Sequence, residues 1–350
     1  MTKKLLETME DKFEKMDADK KIERHIKALS GEILEKPVIV RSEAVEGFSP
    51  YSMQETHDDI EKMFYNQMLG AFGSARQKND GIPMLRADYG TGTLPSLFGA
   101  KSIIVNNNMP WTEHLSLDEI KKILSKGEIS LENGFGAKVI ETYEFYKNAL
   151  SKYPNLKEKV KLYHPDLQGP FDVAHILWGS DIYMAIYDEP DMVKELMQLV
   201  TDTYIKFLDK VKTVIDDEIE VDGKIYNYHW NSLFPGSVTV RDDSSVNLSQ
   251  DCYTEFVLPY NEKIFNYYKT ATMHFCGQAN QWTKNLLECE CLKGWNLGHM
   301  SKLEFGEAFL DKWYSICREN DVSIAMYYLS SEELKTFDFS KYKNITYLNS

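Results

Sequence analysis

The sequence predicts an α/β fold, and specifically a (β/α)8 TIM barrel with an N-terminal helical extension. After Pro37, short runs of β-branched and aromatic residues alternate with longer segments of helical periodicity, which is typical of a parallel sheet. No G-x-G-x-x-G follows an early strand and no G-x-x-x-x-G-K-[ST] occurs, so dinucleotide-binding and P-loop folds lose support. The number of alternating units favours a barrel, and 350 residues suffice for one such domain plus an extension.

The N-terminal segment predicts two short amphipathic helices. Apolar residues recur there every three or four positions, at Leu5, Met9, Phe13, Met16, Ile22, Ile26 and Leu29. We assign residues 1–35 to a helical extension and residues 36–350 to the barrel. None of the residues in the extension suggests chemistry, so we expect it either to cap the barrel or to mediate a homodimer.

Ten strands and two long helices are predicted beyond the extension. The strands are Pro37–Val40, Met84–Tyr89, Ser102–Val105, Lys161–His164, Ile225–His229, Val238–Arg241, Thr270–His274, Gly294–Gly298, Ser323–Tyr328 and Ile345–Leu348. One helix is predicted over Asp188–Asp216, with Pro190 in its first turn. A second helix begins after Ser249, a favourable N-cap, and Pro259 predicts a kink in it.

Composition excludes several classes of protein. Lys and Arg total 40 against 54 Asp and Glu, and the net charge of −14 repels phosphate backbones, so nucleic acid is not an expected partner. No run approaches the roughly 20 apolar residues of a membrane helix, and the first residues lack the apolar core of a signal peptide. Five cysteines form no disulfide pattern. We therefore expect a cytoplasmic protein with reduced thiols and no membrane partner.

His274 and Cys276 are the candidate metal ligands. They lie two residues apart at the end of a predicted strand, where alternation places both side chains on one face, and Gly277 then lets the backbone turn. An imidazole and a thiolate are suitable ligands for zinc, but zinc needs more than two. A buried histidine beside an inert cysteine is the alternative.

Asp242 and Asp243 are candidate catalytic or metal-binding acids. They follow the predicted strand Val238–Arg241, and adjacent like charges are costly to bury unless a cation or hydrogen bonds compensate them. The alternative is a solvated loop in which one aspartate caps the next turn.

Other strand ends carry further candidates. His229 is a candidate catalytic residue, and its neighbours Tyr228 and Trp230 make this strand end suited to lining an apolar or aromatic substrate pocket. Arg86 is a candidate substrate-binding residue, although its alternation with Asp88 also fits an internal ion pair. Asp166 is a candidate substrate-binding residue in the polar loop after Lys161–His164.

Several segments together resemble the uroporphyrinogen decarboxylase superfamily, and specifically its corrinoid-dependent methyltransferase branch. These segments are Leu85–Gly99, Asp166–Gly179, Asp188–Leu208, Arg241–Tyr260 and Met273–Gly277. The resemblance implies a (β/α)8 barrel with a funnel at the C-terminal face. It also implies that the His and Cys of an H-x-C-G motif bind zinc, and these match His274 and Cys276.

The sequence departs from this superfamily in two places. The arginine-rich signature that binds substrate carboxylates in the decarboxylases is absent from the segment PVIVRSEAVEGFSP, which argues against porphyrinogen decarboxylation. Many of the methyltransferases take another zinc ligand from a cysteine near the C-terminus, and the last residues here, DFSKYKNITYLNS, hold none. Asp242 or Asp243 would then have to complete the zinc shell.

The resemblance implies a methyltransferase that moves a methyl group between a small substrate or thiol and a corrinoid (cobalamin). Zinc would act as a Lewis acid on the methyl donor, or would lower the pKa of a thiol that takes the methyl group. The corrinoid is expected on a separate partner protein, because this chain has no D-x-H-x-x-G. The aromatic strand end favours a methoxylated aromatic donor. A metal-free lyase that uses Asp242 or Asp243, and a barrel that binds a ligand without turnover, are the alternatives.

Overall fold

The computed structural model describes residues 2–41, 44–74, 79–298 and 306–349, and has a mixed α/β fold with a central parallel sheet of six strands. The strands are β1 (Ile39–Arg41), β2 (Met84–Leu85), β3 (Ser102–Ile103), β4 (Trp111–Thr112), β5 (Lys161–Leu162), β6 (Glu218–Val221), β7 (Lys224–His229), β8 (Ser232–Pro235), β9 (Val238–Arg241), β10 (Ala271–Phe275), β11 (Leu292–Leu297), β12 (Ser323–Tyr328) and β13 (Ile345–Asn349). The α-helices are α1 (Thr2–Glu14), α2 (Ala18–Leu29), α3 (Met53–Asp58), α4 (Ile60–Ser74), α5 (Leu117–Lys126), α6 (Gly136–Leu150), α7 (Pro154–Lys159), α8 (Pro170–Trp178), α9 (Ile182–Asp188), α10 (Pro190–Lys212), α11 (Gln250–Phe256), α12 (Leu258–Tyr268), α13 (Thr283–Leu287), α14 (Glu307–Glu319) and α15 (Glu333–Thr336).

The central sheet has the order β1-β13-β12-β11-β10-β9, and every neighbouring pair is parallel. All its strands therefore end at one edge, here called the C-terminal edge, and begin at the opposite N-terminal edge. The ladder places His274 of β10 beside Arg241 of β9 and beside Asn296 of β11. Three consecutive strands thus bring polar side chains to the C-terminal edge.

A second parallel pair, β2 with β5, lies beside this sheet. The Gly169 N–H, beyond β5, donates to the Arg241 carbonyl at the end of β9 (2.5 Å). A Cβ on Gly169 would overlap this carbonyl, so the approach requires glycine. Before β2, the Asp80 N–H donates to the Ile39 carbonyl of β1 (3.1 Å).

The α/β class predicted from the sequence is confirmed.

The predicted strand Ile225–His229 is not a unit of the parallel sheet. It corresponds to β7, the middle of an antiparallel sheet with the order β6-β7-β8. The sequence pattern could not distinguish the two cases, because both give a short buried run. Trp230 and Asn231 form the two-residue turn between β7 and β8, and both have a positive φ (44° and 59°). Strand β8 packs against β10, β11 and β12 of the central sheet.

Two other predictions need correction. The predicted strand Ser102–Val105 forms an antiparallel hairpin, β3 with β4, outside the parallel sheet. The helix after Ser249 is two helices, separated at Val257, and Pro259 lies in the first turn of the second. The predicted helix Asp188–Asp216 corresponds to α10, and Pro190 begins it, as its position predicted. Among the described residues, no helix is long and apolar enough to cross a bilayer.

The two N-terminal helices pack on the rest of the chain. Helix α1 buries its apolar face, which includes Leu5 and Phe13, against α4 and α7. Helix α2 lies at the N-terminal edge, where its Leu29 carbonyl accepts hydrogen bonds from Ser323 (3.1 Å) and Asn344 (2.7 Å). The predicted amphipathic faces are therefore buried within this chain, as capping helices would be.

Candidate metal centre

Three potential ligands meet at the C-terminal edge: Asp243 after β9, His274 in β10 and Cys276 after β10. Their ligand atoms all lie within 4.8 Å of one another. His274 Nε2 is 3.6 Å from Asp243 Oδ1 and 3.7 Å from Cys276 Sγ. Metal–ligand bonds of about 2.0–2.3 Å place the ligand atoms of a tetrahedral zinc site about 3.3–3.6 Å apart. The two distances measured from His274 Nε2 are close to this value.

Asn296 fixes the tautomer of His274. The Asn296 amide Nδ2 donates to the Ala325 carbonyl (2.5 Å), and a carbonyl can only accept. The amide oxygen must then face His274 Nδ1 (2.5 Å), which therefore carries the proton. The Nε2 lone pair is left pointing towards Asp243 and Cys276, and this is the form that binds a metal.

The charges at this point favour a cation. Burial lowers the pKa of His274, although the Asp243 carboxylate and the Asn296 hydrogen bond raise it, so the imidazole is neutral. A lone pair, a carboxylate and a thiol then converge at one point. A metal ion could bind all three groups, and their N, O and S donor set fits zinc.

A buried aspartate holds the turn that carries Asp243. Asp172, near the start of α8, accepts hydrogen bonds from the backbone N–H groups of Asp243 (2.8 Å) and Ser244 (2.6 Å). The Asp243 carboxylate in turn accepts the Cys276 N–H (2.5 Å). Burial raises the pKa of Asp172 well above its ordinary value, and the neighbouring carboxylates add to this. The turn after β9 is thereby tied to both α8 and the end of β10.

Gly298 allows the close packing of the three ligands. It follows β11, and its N–H donates to the Phe275 carbonyl (2.9 Å). A Cβ at this position would overlap Cys276 Sγ and lie 3.1 Å from the His274 ring. Any other residue at position 298 would displace the thiol.

Arg86, Asp166 and His229 form one buried network with Arg241. Arg241 donates to the Asp166 carboxylate and, through Nη2, to His229 Nε2 (2.9 Å). Arg86 pairs with Asp88 (2.9 Å) and also lies 3.6 Å from Asp166. Burial and the Arg241 charge lower the pKa of His229 well below its ordinary value, so this ring is neutral too. The network contains three predicted residues, none of which belongs to the ligand triad.

Trp230 links this network to the triad. Its ring meets the His274 ring edge to face (centroids 4.9 Å apart), and the Arg241 guanidinium lies 4.8 Å from its centre. Trp230 and Asn296 both line a cavity of about 410 Å³. The structure thus places Trp230, a predicted substrate-binding residue, in the wall of a cavity.

Asp242 and Tyr228 lie away from the triad. Asp242 is fully buried (0% exposed), accepts a hydrogen bond from Asn261 of α12 (2.8 Å), and burial raises its pKa to about 7. Tyr228 is on the opposite side of β7 from His229, in an apolar cluster with Ile22 of α2. Of the two acids, only Asp243 faces His274.

Three residues that shape this site, Asn296, Asp172 and Gly298, are not among those predicted from the sequence. A polar residue within the apolar run of β11 was a signal for Asn296, but its partner could be known only from the strand order. Asp172 lies in a helix that gave no chemical signal. Gly298 was included only as the end of a predicted strand.

Comparison with known proteins found no match, either among protein-family models or among curated proteins. The inferred function therefore depends on the side chains at the C-terminal edge.

Proposed function

We propose that this protein is a zinc-dependent methyltransferase that moves a methyl group between a small substrate and a corrinoid carried by a separate protein. The observation that supports this most is the convergence of the His274 Nε2 lone pair, the Asp243 carboxylate and the Cys276 thiol beside a cavity. Asp243 would be the third protein ligand of the zinc ion.

We also propose that the parallel strands belong to a (β/α)8 barrel. Two contacts support this: the bond from Gly169 to Arg241 joins β5 to β9, and the bond from Asp80 to Ile39 joins the segment before β2 to β1. In the proposed barrel these two contacts would close the two ladders into a ring of eight strands, in the order β1-β13-β12-β11-β10-β9-β5-β2. In such barrels, chemistry takes place at the C-terminal ends of the strands, where Asp243, His274 and Cys276 lie.

Three protein ligands with one open position are typical of a catalytic zinc site. Bound zinc would supply Lewis acidity towards the ether oxygen or amine nitrogen that leaves the methyl group. Asn296 keeps Nε2 of His274 unprotonated and available. Trp230 and the cavity walls exclude water and hold the apolar part of the substrate.

Metal analysis of the purified, zinc-reconstituted protein tests the site. We expect about one zinc per chain in the wild type and loss of zinc in Asp243→Ala, His274→Ala and Cys276→Ala. Cys252→Ala removes a thiol outside the triad and should retain zinc. If all three triad variants bind as much zinc as the wild type, the proposed centre is wrong.

Methyl transfer is tested with free cob(I)alamin as acceptor and a methoxylated aromatic compound as donor. Formation of methylcobalamin, followed by visible absorbance, should require zinc and each of the three ligands. If the protein holds stoichiometric zinc and still transfers no methyl group to free cobalamin or to a corrinoid protein, the proposed metal site stands and the proposed methyltransferase activity is wrong.

A further inference from the structure

We propose that one water molecule is bound in the interior of the fold between His164 and His229, where it joins two buried hydrogen-bond networks. His164 is then a positioning residue for His229 and Arg241, and Arg241 is paired in the ladder with the candidate ligand His274. This inference is independent of zinc binding and of methyl transfer.

His164 belongs to the first network, at the end of α10. Its Nδ1 lies 2.9 Å from Asp217 Oδ2, and Lys212, the last residue of α10, donates to the other oxygen of this carboxylate (2.6 Å). A carboxylate can only accept, so His164 Nδ1 carries a proton. Burial lowers the pKa of His164, although Asp217 raises it, so the ring is neutral and its Nε2 has a lone pair. This Nε2 is buried and has no hydrogen-bond partner among the described residues.

His229 belongs to the second network, with Arg241. Arg241 Nη2 donates to His229 Nε2 (2.9 Å), and a guanidinium has donors only. The proton of the neutral His229 ring must therefore be on Nδ1. This N–H group is also buried, and the described part of the chain offers it no acceptor. Buried polar groups of this kind are nearly always paired, with protein atoms or with an ordered water.

The two unpaired groups are complementary and belong to neighbouring rings. The ring centroids of His164 and His229 are 5.1 Å apart, and the ring planes are inclined by 38°. Two hydrogen bonds of about 2.8 Å through one water oxygen span about 4.5–5 Å, a distance that nitrogens on rings at this separation can have. The water would accept from His229 Nδ1 and donate to His164 Nε2. All bonds in the resulting chain then run in one direction, from Arg241 to Asp217.

The local charges favour water over an anion. Arg241 Nε and Arg86 Nη1 are two further buried donors without a partner among the described residues, and donors alone would suit an anion. However, Asp166 and Asp88 already pair with the two guanidinium groups. An anion would add an uncompensated buried charge and could not donate to His164 Nε2. Water can accept from one ring and donate to the other.

The chain would hold the Arg241 side chain in place beside the metal centre. The Arg241 guanidinium lies 4.8 Å from the centre of the Trp230 ring, and this ring contacts His274 edge to face. Because Arg241 keeps its proton at all ordinary pH values, it also fixes His229 as the Nδ1–H tautomer. The chain therefore positions these side chains and does not conduct protons.

High-resolution crystal structures of the wild type, from crystals with and without bromide, test the identity of the ligand. We expect one density peak within about 3.2 Å of both His164 Nε2 and His229 Nδ1, without anomalous signal from bromide. An anomalous peak at this point would identify an anion site and contradict the proposal. A direct bond between the two nitrogens, or no peak, would also overturn it.

Nuclear magnetic resonance of protein labelled with ¹⁵N-histidine tests the role of His164. The wild type should show His229 as the Nδ1–H tautomer, with a nuclear Overhauser effect between this proton and water. In His164→Phe the acceptor for the water is lost, and we expect this proton to exchange with solvent about tenfold faster. His164→Gln keeps an acceptor and should restore slow exchange, and His114→Gln, at an exposed histidine, should leave the rate unchanged.

Two spectral results would refute the positioning role. One is the same exchange rate in His164→Phe as in the wild type. The other needs no variant: a wild-type spectrum in which His229 is protonated at Nε2, or at both nitrogens, contradicts the direction of the chain.

Discussion

The two edges of the parallel sheet each contain a buried histidine, and the two rings are bonded in different ways. At the N-terminal edge, His25 Nε2 donates to the Asp80 carbonyl (2.9 Å), and its Nδ1 accepts from the Ser232 hydroxyl (3.1 Å). At the C-terminal edge, His274 donates through Nδ1 to Asn296, but its Nε2 faces Asp243 and Cys276.

The difference separates a structural histidine from a candidate ligand. Both nitrogens of His25 are bonded to chain atoms that hold α2 against the start of the sheet. His274 has one nitrogen bonded to an amide, while the other faces a thiol and a carboxylate, which are themselves candidate metal ligands. The N-terminal edge therefore uses its polar groups for stability, whereas the C-terminal edge brings together three groups that could bind a metal. Substitutions at the N-terminal edge should alter the stability of the fold alone, and substitutions at the C-terminal edge should alter zinc binding.

The largest effect is expected from acidification at His25. Burial lowers its pKa from 6.5 to about 4, and the Asp80 bond only partly offsets this. Because the unfolded chain takes up the proton first, the stabilisation is complete above pH 6.5 and is lost as the pH falls towards 4. The free energy of unfolding should fall by about 3 kcal/mol more in the wild type than in His25→Gln between pH 7 and 4.

Chemical denaturation at a series of pH values measures this difference. His114→Gln, which removes an exposed histidine, should preserve the wild-type slope. If the free energy of unfolding changes with pH in the same way in the wild type and in His25→Gln, the His25 ring is not held neutral. The structural role of His25 at the N-terminal edge would then be contradicted.

The next largest effect is expected at Asn296. Loss of the hydrogen bond to a metal-bound histidine typically weakens metal affinity about 10- to 100-fold. Asn296→Ala should show this loss in competition with a chromophoric zinc chelator, whereas Asn296→Asp keeps an acceptor and should retain more affinity. Asn344→Ala, which removes a buried amide at the N-terminal edge, should lower the melting temperature without changing zinc affinity. The same zinc affinity in Asn296→Ala and the wild type would contradict the role of Asn296.

The smallest effect is expected at Lys269, which ends α12 at the N-terminal edge with a positive φ of 67°. Lys269→Gly relieves this strain and should raise the free energy of unfolding by about 1 kcal/mol, without altering ligand binding. Lys263→Gly, in the interior of the same helix, should lower it by a similar amount. A stabilised variant with weakened binding would show that the two edges are coupled.

The proximity of two candidate ligands could be predicted from the sequence because it depends only on local periodicity. His274 and Cys276 are two residues apart on one strand, so alternation alone places them on one face. It could not choose between Asp242 and Asp243, because adjacent residues point in opposite directions and only the position of α12 shows which one is buried. Tyr228 was assigned to the pocket because the pattern does not reveal that β7 belongs to an antiparallel hairpin. Asn296 required the strand order, which no local pattern contains.

The packing at Gly298 has a consequence for sequence divergence. A Cβ there would overlap the Cys276 thiol, so the two positions cannot change independently. A homologue with alanine at position 298 must have moved or replaced its thiol, and one that has lost the thiol is free to accept a side chain. Glycine at position 298 together with cysteine at position 276 is therefore a joint sequence marker for proteins that keep this centre intact.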